Sequence, residues 1–387
     1  MTRTRPVLGA VLATVLAVSG CGLGGTASPG PANTTRIPEL APGQQVSIVF
    51  ESYNYGMAGA WTDTFDALLA EFGERYPNIT VTARKPQGNS PNPATDTISS
   101  IQNQLVAGAP PDVAQLGFSD LDFTVRQLGA APLDLLVGRD EVDRAFDGAR
   151  HPYAPRARTL DDWDGHTYGM PFVFSTPVLY FNASLFTAAG LDPERPPTTW
   201  AEAATAAARI AERTGRGGIY LDCLTKSAMD WCFQSLVRSN GGRVISPDRR
   251  TLTYAEDPAV EVTRMARDLV TSGAMPVLNQ KQGYEAFARG EESYTRIARD
   301  IGYLPLRTGL LGEPGALAEW AAADPLLAPN VAQLATMEPW VSMPGDNYLQ
   351  VRDGMMEAVE AIVFQGSDPR STLAAAQAAG TALLPAS

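Results

Sequence analysis

Between residues 46 and 128 the chain alternates short β-branched runs with helical stretches, and this rhythm restricts the fold more than any other feature. Val46-Ser47-Ile48-Val49-Phe50 reads as a strand, and the spacing of Trp61, Phe65, Leu68, Leu69 and Phe72 puts one apolar face on a helix over 61–76. Pro77-Asn78 stops that helix. A strand over 79–83, a helix over 95–107 closing near Gly108, a strand over 112–116 and a helix over 119–128 follow. Strands joined through helices return side by side and parallel, so a mainly parallel sheet is predicted.

That unit begins well inside the chain. Arg3 and Arg5 precede an apolar run from Val7 to Val18, and small residues Ser19 and Gly20 stand before Cys21. The run is shorter than the roughly 20 residues that span a bilayer. Residues 1–20 therefore read as an export signal, and Val18-Ser19-Gly20-Cys21 resembles the junction at which a bacterial lipoprotein is acylated on cysteine and cleaved. Cys21 is the expected lipidation site, anchored on the extracytoplasmic face of the cell membrane. Residues 21–44 are rich in Gly, Ser, Thr, Pro and Asn, bury little, and read as a flexible tether. The formal charge is −12, and loss of Arg3 and Arg5 with the signal makes it more negative, which disfavours nucleic acid and acidic membrane surfaces as partners. Cys223 and Cys232 are the remaining thiols of an exported chain, and a disulfide between them is expected.

The 387 residues exceed what one core usually serves, so two lobes are expected. The N-terminal lobe is assigned to 45–173 and the C-terminal lobe to 174–290. Val178, Leu179, Tyr180 and Phe181 read as a buried strand, Thr199 as the N-cap of a helix running to Ala211, and 218–221 as another strand. Helices over 231–239, 258–272, 347–364 and 371–384 complete the reading, with 303–387 packing on the C-terminal lobe.

Catalytic signals are weak. Two histidines, His151 and His166, stand without HExxH spacing, and no CxxC, GxSxG or Gly-rich phosphate loop occurs. Both histidines read as exposed loop residues. Asp161-Asp162 and Glu291-Glu292 are sequence neighbours, which does not hold two carboxyls at the fixed separation glycoside hydrolysis needs. No enzyme activity, metal or cofactor is expected.

From Pro171 the stretch Pro171-Phe172-Val173-Phe174-Ser175-Thr176-Pro177-Val178-Leu179-Tyr180-Phe181-Asn182, then Ala189-Gly190-Leu191-Asp192-Pro193 and Pro196-Pro197-Thr198-Thr199-Trp200, resembles family 1 extracellular solute-binding proteins of ABC transporters. Gly302-Tyr303-Leu304-Pro305-Leu306 and Asn347-Tyr348-Leu349-Gln350-Val351-Arg352 resemble the glycerol-3-phosphate and sugar binders of that family. The resemblance implies a two-lobed α/β periplasmic-binding-protein type II fold that closes on a small sugar or polyol phosphate, a monomer delivering to ABC permease subunits. It places Ser175, Tyr303 and Arg352 at the ligand. Tyr53, Tyr55, Trp231, Tyr303, Trp340 and Tyr348 are candidate aromatic lining, because a polyol offers C–H faces as well as hydroxyls. The competing role for Arg352 is a salt bridge to Asp353, Glu357 or a remote acid, and a maltose- or oligosaccharide-type receptor is favoured if Arg352 faces away from the cleft and the aromatics form a long groove. A surface lipoprotein with a purely structural role is the reading from another class. Two family contacts fall on unsuitable residues, the stretch Pro91 to Ala94 and Phe118. Only residues 291–302 stand where the family has several dozen, a shortened return between the lobes.

Overall fold

The computed structural model describes residues 36–55, 60–89, 93–148, 152–173, 176–278, 312, 318–323 and 331–385. Its N-terminal half contains β1 (Val46–Ser52), α1 (Ala60–Arg75), β2 (Ile79–Arg84), α2 (Thr97–Val106), β3 (Val113–Gln115) and α3 (Leu121–Arg126). The strands form one sheet in the order β2-β1-β3, with both pairings parallel, so the alternation read from sequence yields the expected βαβαβ unit. Register runs from Val46 opposite Ile79 to Glu51 opposite Arg84, and Phe50 lies opposite Val113. Phe65 of α1 is buried and packs its ring 5.7 Å from that of Phe50.

The carboxyl ends of β1 and β3 carry polar groups rather than more apolar core. Glu51 is fully buried, and its carboxylate accepts from Ser100 Oγ at 2.7 Å, Gln104 Nε2 at 2.7 Å and Arg84 Nε at 3.2 Å. A buried carboxylate is tolerated only with such a set of donors. Ser52 Oγ donates to Gln115 Oε1 at 2.5 Å, linking the ends of the two strands.

Helices α4 (Leu133–Leu136) and α5 (Arg139–Asp147) lead to the two-residue hairpin strands β4 (Asp162–Trp163) and β5 (His166–Thr167). His166 is half-buried there with its Nδ1 3.0 Å from Asp134 Oδ2, which corrects the expectation of an exposed loop histidine: the hairpin folds it back onto α4. His151 lies outside the described residues.

The C-terminal half is helical among the described residues: α6 (Ala183–Ala188), α7 (Trp200–Thr214), α8 (Trp231–Ser239), α9 (Asp257–Thr271), α10 (Ala318–Ala323), α11 (Tyr348–Gln365) and α12 (Pro369–Thr381). Thr199 caps α7 as expected. Its hydroxyl accepts from Glu202 N while Glu202 Oε2 accepts from Thr199 N, and Gly215 closes the helix at φ 66°. Among the described residues the two strands expected here are not paired into a sheet. Residues 178–181 have no ladder partner among the described residues and leave Leu179 exposed, while Gly218 and Ile219 both donate their N–H groups to Ala274 O. An apolar run is a strand only when a second edge is available to it, and composition does not report that edge.

Helix α11 is the spine of this half. It packs on α9 and α12, burying Val351, Met355, Met356, Val359, Ile362 and Val363 against Val260, Ala266 and Leu373. Phe233, Leu236 and Val237 of α8 join the same core, and so do Ile98 and Phe123 from the N-terminal half. Each fully buried side chain of this size contributes about 1.5–3 kcal/mol. The core therefore holds the two halves together as well as filling the second.

Candidate functional site

The halves meet along α3, where polar groups from three distant stretches converge. Asp120 stands at the turn leading from β3 into α3, bounded by Gly117, whose N–H donates to Asp120 Oδ2 at 3.2 Å. Tyr348 opens α11 and donates its hydroxyl to Asp120 Oδ1 at 2.8 Å, with its ring 5.2 Å from that of Phe123. Arg352 follows Tyr348 by four positions, on the same helical face. Asp230 precedes α8 and accepts from Trp340 Nε1 at 3.0 Å and Gln234 Nε2 at 2.8 Å. Gln234 also donates to Val341 O at 2.9 Å, which fixes the segment carrying Trp340. Trp340 leans toward the Asp120 turn, its Cζ3 3.7 Å from where a side chain on Gly117 would begin.

Charge at this junction is unevenly shared. Asp120 is 6% exposed and Asp230 1%, and burial pushes both carboxyls up, Asp230 to about 6, against the hydrogen bonds each accepts and the positive charge of Arg352. Arg352 is itself largely enclosed. Its Nε and Nη2 donate to Asp353 Oδ1 at 3.1 and 3.0 Å. Asp353 is shared in turn with Lys226 Nζ at 3.4 Å, and Lys226 donates to Glu357 at 2.7 Å. Burial and the neighbouring Asp120 push the Tyr348 hydroxyl well above the usual phenol range, so it acts as a donor at any ordinary pH.

A disulfide between Cys223 and Cys232, with Cα atoms 4.9 Å apart, closes the loop that holds Asp230 and Lys226. Both of that loop's charged groups thus face α11, Asp230 through Arg352 and Lys226 through Asp353 and Glu357.

A second set of contacts braces the junction beside this cluster. Asp122, buried in α3, accepts from Trp163 Nε1 at 3.1 Å and lies 3.3 Å from Arg126 Nε and 3.7 Å from Arg249 Nη2. Gln127 Nε2 donates to Asp346 Oδ1 at 2.6 Å.

Of the residues singled out from sequence, Trp340, Tyr348 and Arg352 are brought to this junction. Tyr348 is not available as aromatic lining: its ring is 2% exposed and its hydroxyl is committed to Asp120. Arg352 takes the salt bridge to Asp353 that was its competing role, while its charge still acts on Asp120 and Asp230. Trp231 is half-buried against the main core. Tyr55 lies elsewhere, in the turn after β1, and its hydroxyl donates to Asp66 Oδ1 of α1 at 3.1 Å. Cys21, Ser175, Tyr303 and the shortened return at 291–302 fall outside the described residues. Sequence reasoning missed Asp120 and Asp230. The one available signal was Asp230 standing between the two cysteines and directly before Trp231.

Residues 58–291 match the family model described as bacterial extracellular solute-binding protein. An uncharacterized ABC transporter extracellular-binding protein of Pyrococcus horikoshii, PH1214, is 27% identical over 192 residues, 48% of this chain and 38% of that one. The matched stretch thus spans little more than a third of that relative. Among solved structures, UgpB from Mycobacterium tuberculosis in complex with glycerophosphocholine superposes with a TM-score of 0.68 at 16% identity, over 87% of this chain and 98% of that one. A cyclic α-maltosyl-1,6-maltose binding protein from Arthrobacter globiformis gives 0.65 at 17% identity, over 88% and 99%. Likeness at this level establishes the fold, the two-lobed α/β architecture of periplasmic binding proteins.

Proposed function

The chain belongs to the bacterial extracellular solute-binding proteins, and from that premise we propose that it is the receptor component of an ABC importer, taking up a sugar or a glycerol-phosphate-like solute between its lobes. The observation that carries this reading is the convergence of Asp120, Asp230, Trp340 and Arg352 from opposite halves of the chain on one junction. A solute seated there would touch both lobes at once, which is what links its capture to their closure. Trp340 offers an indole face for the C–H surface of a polyol, and the carboxylates and guanidinium offer fixed partners for its hydroxyls; Trp231, packed on the main core, is proposed as a ligand contact on the strength of its sequence reading alone. Tyr348 acts one step back, holding Asp120 in place. Ser175 and Tyr303 are proposed as further ligand contacts on the strength of the family resemblance alone.

The reading needs binding, not bond breaking, and it uses no cofactor. The partners would be the solute and the importer's permease subunits, met as a monomer held to the outer face of the membrane by a diacylglycerol on Cys21. Intact-mass measurement of the membrane-fraction protein tests the anchor; a product cleaved elsewhere would exclude it. The solute-binding claim is tested by a thermal-shift screen of the purified chain with sugars, glycerol 3-phosphate and glycerophosphodiesters. A true ligand at about 100 times its Kd stabilises the native state by about 2.7 kcal/mol, a readily measured rise in Tm. A flat response to every compound would refute the reading.

A further inference from the structure

The three strands of the N-terminal sheet run parallel, so their starts lie along one edge and their ends along the other. The carboxyl edge is polar and leads to the junction: Glu51, Ser52 and Gln115 stand on it, and the chain passes from β3 to Asp120. The amino edge has the opposite character. Helix α2 ends there with Leu105 exposed and Val106 92% exposed, and Ala107, Gly108, Ala109 and Pro110 follow, all exposed, before β3 begins at the half-exposed Val113. No charge occurs from Leu105 to Pro111. Asp112, next in line, is turned back on the sheet, its Oδ2 accepting from Val49 N at 2.7 Å. Helix α1 brings the exposed Tyr76 to the same edge just before β2, with the Arg75 guanidinium 5.6 Å from the centre of its ring. A tyrosine and an arginine, each with an apolar body and a polar tip, suit a lipid–water interface. Glu74 beside them is the exposed acid of that stretch.

The chain enters the lobe at this edge as well. Ile37 N donates to Leu136 O at 2.8 Å, and residues 38–45, all exposed with Leu40 among them, lead to the first residue of β1. Asn78 Nδ2 donates to Gln44 O at 3.0 Å, tying that lead-in to the start of β2. Cys21 stands sixteen positions before Ile37, a reach of at most about 55 Å. A compact chain of this length is itself about 50 Å across. An anchor at Cys21 therefore holds the amino edge near the bilayer, whereas presenting the opposite edge would use nearly the whole reach in passing around the molecule.

We infer that the apolar end of α2, together with Tyr76, is a membrane-resting surface: it lies on zwitterionic lipid of the bilayer to which Cys21 is anchored, and the junction at Asp120 faces outward to the solute. This rests on the lipid-anchor reading and goes beyond it, since an anchor fixes distance and not orientation. The formal charge of −12 opposes an anionic lipid surface, while the uncharged stretch from Leu105 to Pro111 meets a zwitterionic one without that penalty. A patch this small binds a bilayer weakly by itself. Tethering makes the contact intramolecular, so little affinity of its own is needed.

The test uses the chain from Cys21 onward, coupled through the Cys21 thiol to a maleimide lipid in phosphatidylcholine vesicles at sparse coverage. Cys223 and Cys232 are bonded to each other and do not react. Val106→Trp and Tyr76→Trp place an indole on the amino edge, and Lys85→Trp places one just past the carboxyl end of β2; all three positions are exposed, and circular dichroism melts check that each variant folds. With lipid brominated high in its acyl chains, the emission added by Val106→Trp should fall by at least about twofold, and that added by Lys85→Trp should stay unchanged. Leu105→Glu in the Val106→Trp background should restore the lost emission. Should Val106→Trp fail to fold, Tyr76→Trp carries the same expectation. Equal quenching at both edges, or none at either, overturns the proposal. So does an unquenched Val106→Trp whose emission shifts to the blue only at high protein density, which would identify a second copy of the chain as what covers the patch. The anchor is read separately: a membrane-fraction chain whose intact mass lacks lipid on Cys21 refutes the anchor reading and the proposal with it, whereas a lipidated chain with unquenched Val106→Trp refutes the proposal alone.

Discussion

Asp230→Asn measures what the protein gives up to keep a charge inside the junction. The carboxyl is 1% exposed, and burial lifts it from 3.8 to about 6 despite the donors Gln234 and Trp340 and the charge of Arg352. A rise of that size corresponds to a penalty of roughly 3 kcal/mol on the ionised form in the folded state. In the unfolded chain the carboxyl has its ordinary value. The contribution of Asp230 to stability is therefore complete below about pH 3.8 and is lost as pH rises through about 6. Asp161 is lifted to about 6 as well, by burial and by the neighbouring Asp162, so wild type alone cannot separate the two groups. Urea unfolding of wild type and Asp230→Asn at matched pH values from about 4 to about 7.5 isolates the one of interest, because the Asp161 contribution cancels in the difference. The wild type should lose about 2–3 kcal/mol more than the variant across that window. Parallel profiles, with a constant offset at every pH, would show that Asp230 is not ionised against a burial cost.

Other perturbations probe separate features. Tyr348→Phe removes the donor to buried Asp120 Oδ1 and should cost about 1.5–3 kcal/mol in urea unfolding at neutral pH; an unchanged midpoint would mean the bond is not formed in solution. Thr199→Ala breaks the capping box of α7 and should lower stability by about 1 kcal/mol, with Thr199→Ser restoring most of it. Reduction of Cys223–Cys232, nine positions apart, should cost about 2–3 kcal/mol, read as a Tm drop in dithiothreitol that a Cys223→Ser, Cys232→Ser double variant does not show. Gly218→Ala drives a carbon into Ala207 O of the α7 backbone, and should cost at least the roughly 1–3 kcal/mol typical of overpacking; wild-type stability would show that the two segments separate easily.

What could be read from the sequence was whatever the physics keeps local. The βαβαβ unit announced itself because β1, α1 and β2 each satisfy their own periodicity within a few residues, and because Pro77 ends the first helix where the chain must turn. Thr199 gave away the start of α7 for the same reason. Residues 178–181 misled because β-branched and aromatic content says that a segment suits a sheet, not that a sheet edge waits for it. Of the site, Trp340, Tyr348 and Arg352 were legible, but their roles were not. Asp120 lies 228 positions from the hydroxyl it accepts and Asp230 lies 110 from the indole it holds, and no local pattern encodes pairings of that separation. Burial turned two ordinary aspartates into the main electrostatic feature of the junction.

The Tyr348–Asp120 bond also fixes an order of events. β1 and β2 can pair once some forty residues are in hand, because Val46 meets Ile79, whereas the junction needs a residue 228 positions downstream of Asp120. Contacts of such long separation form late, after the loop-closure entropy of the intervening chain has been met. A growing or partly translocated chain therefore contains the first sheet but not the junction, and the first residues of α11 are the ones that complete it. Proteolytic removal of everything from Tyr348 onward should open Asp120 to water, while the β2-β1-β3 sheet retains its own register.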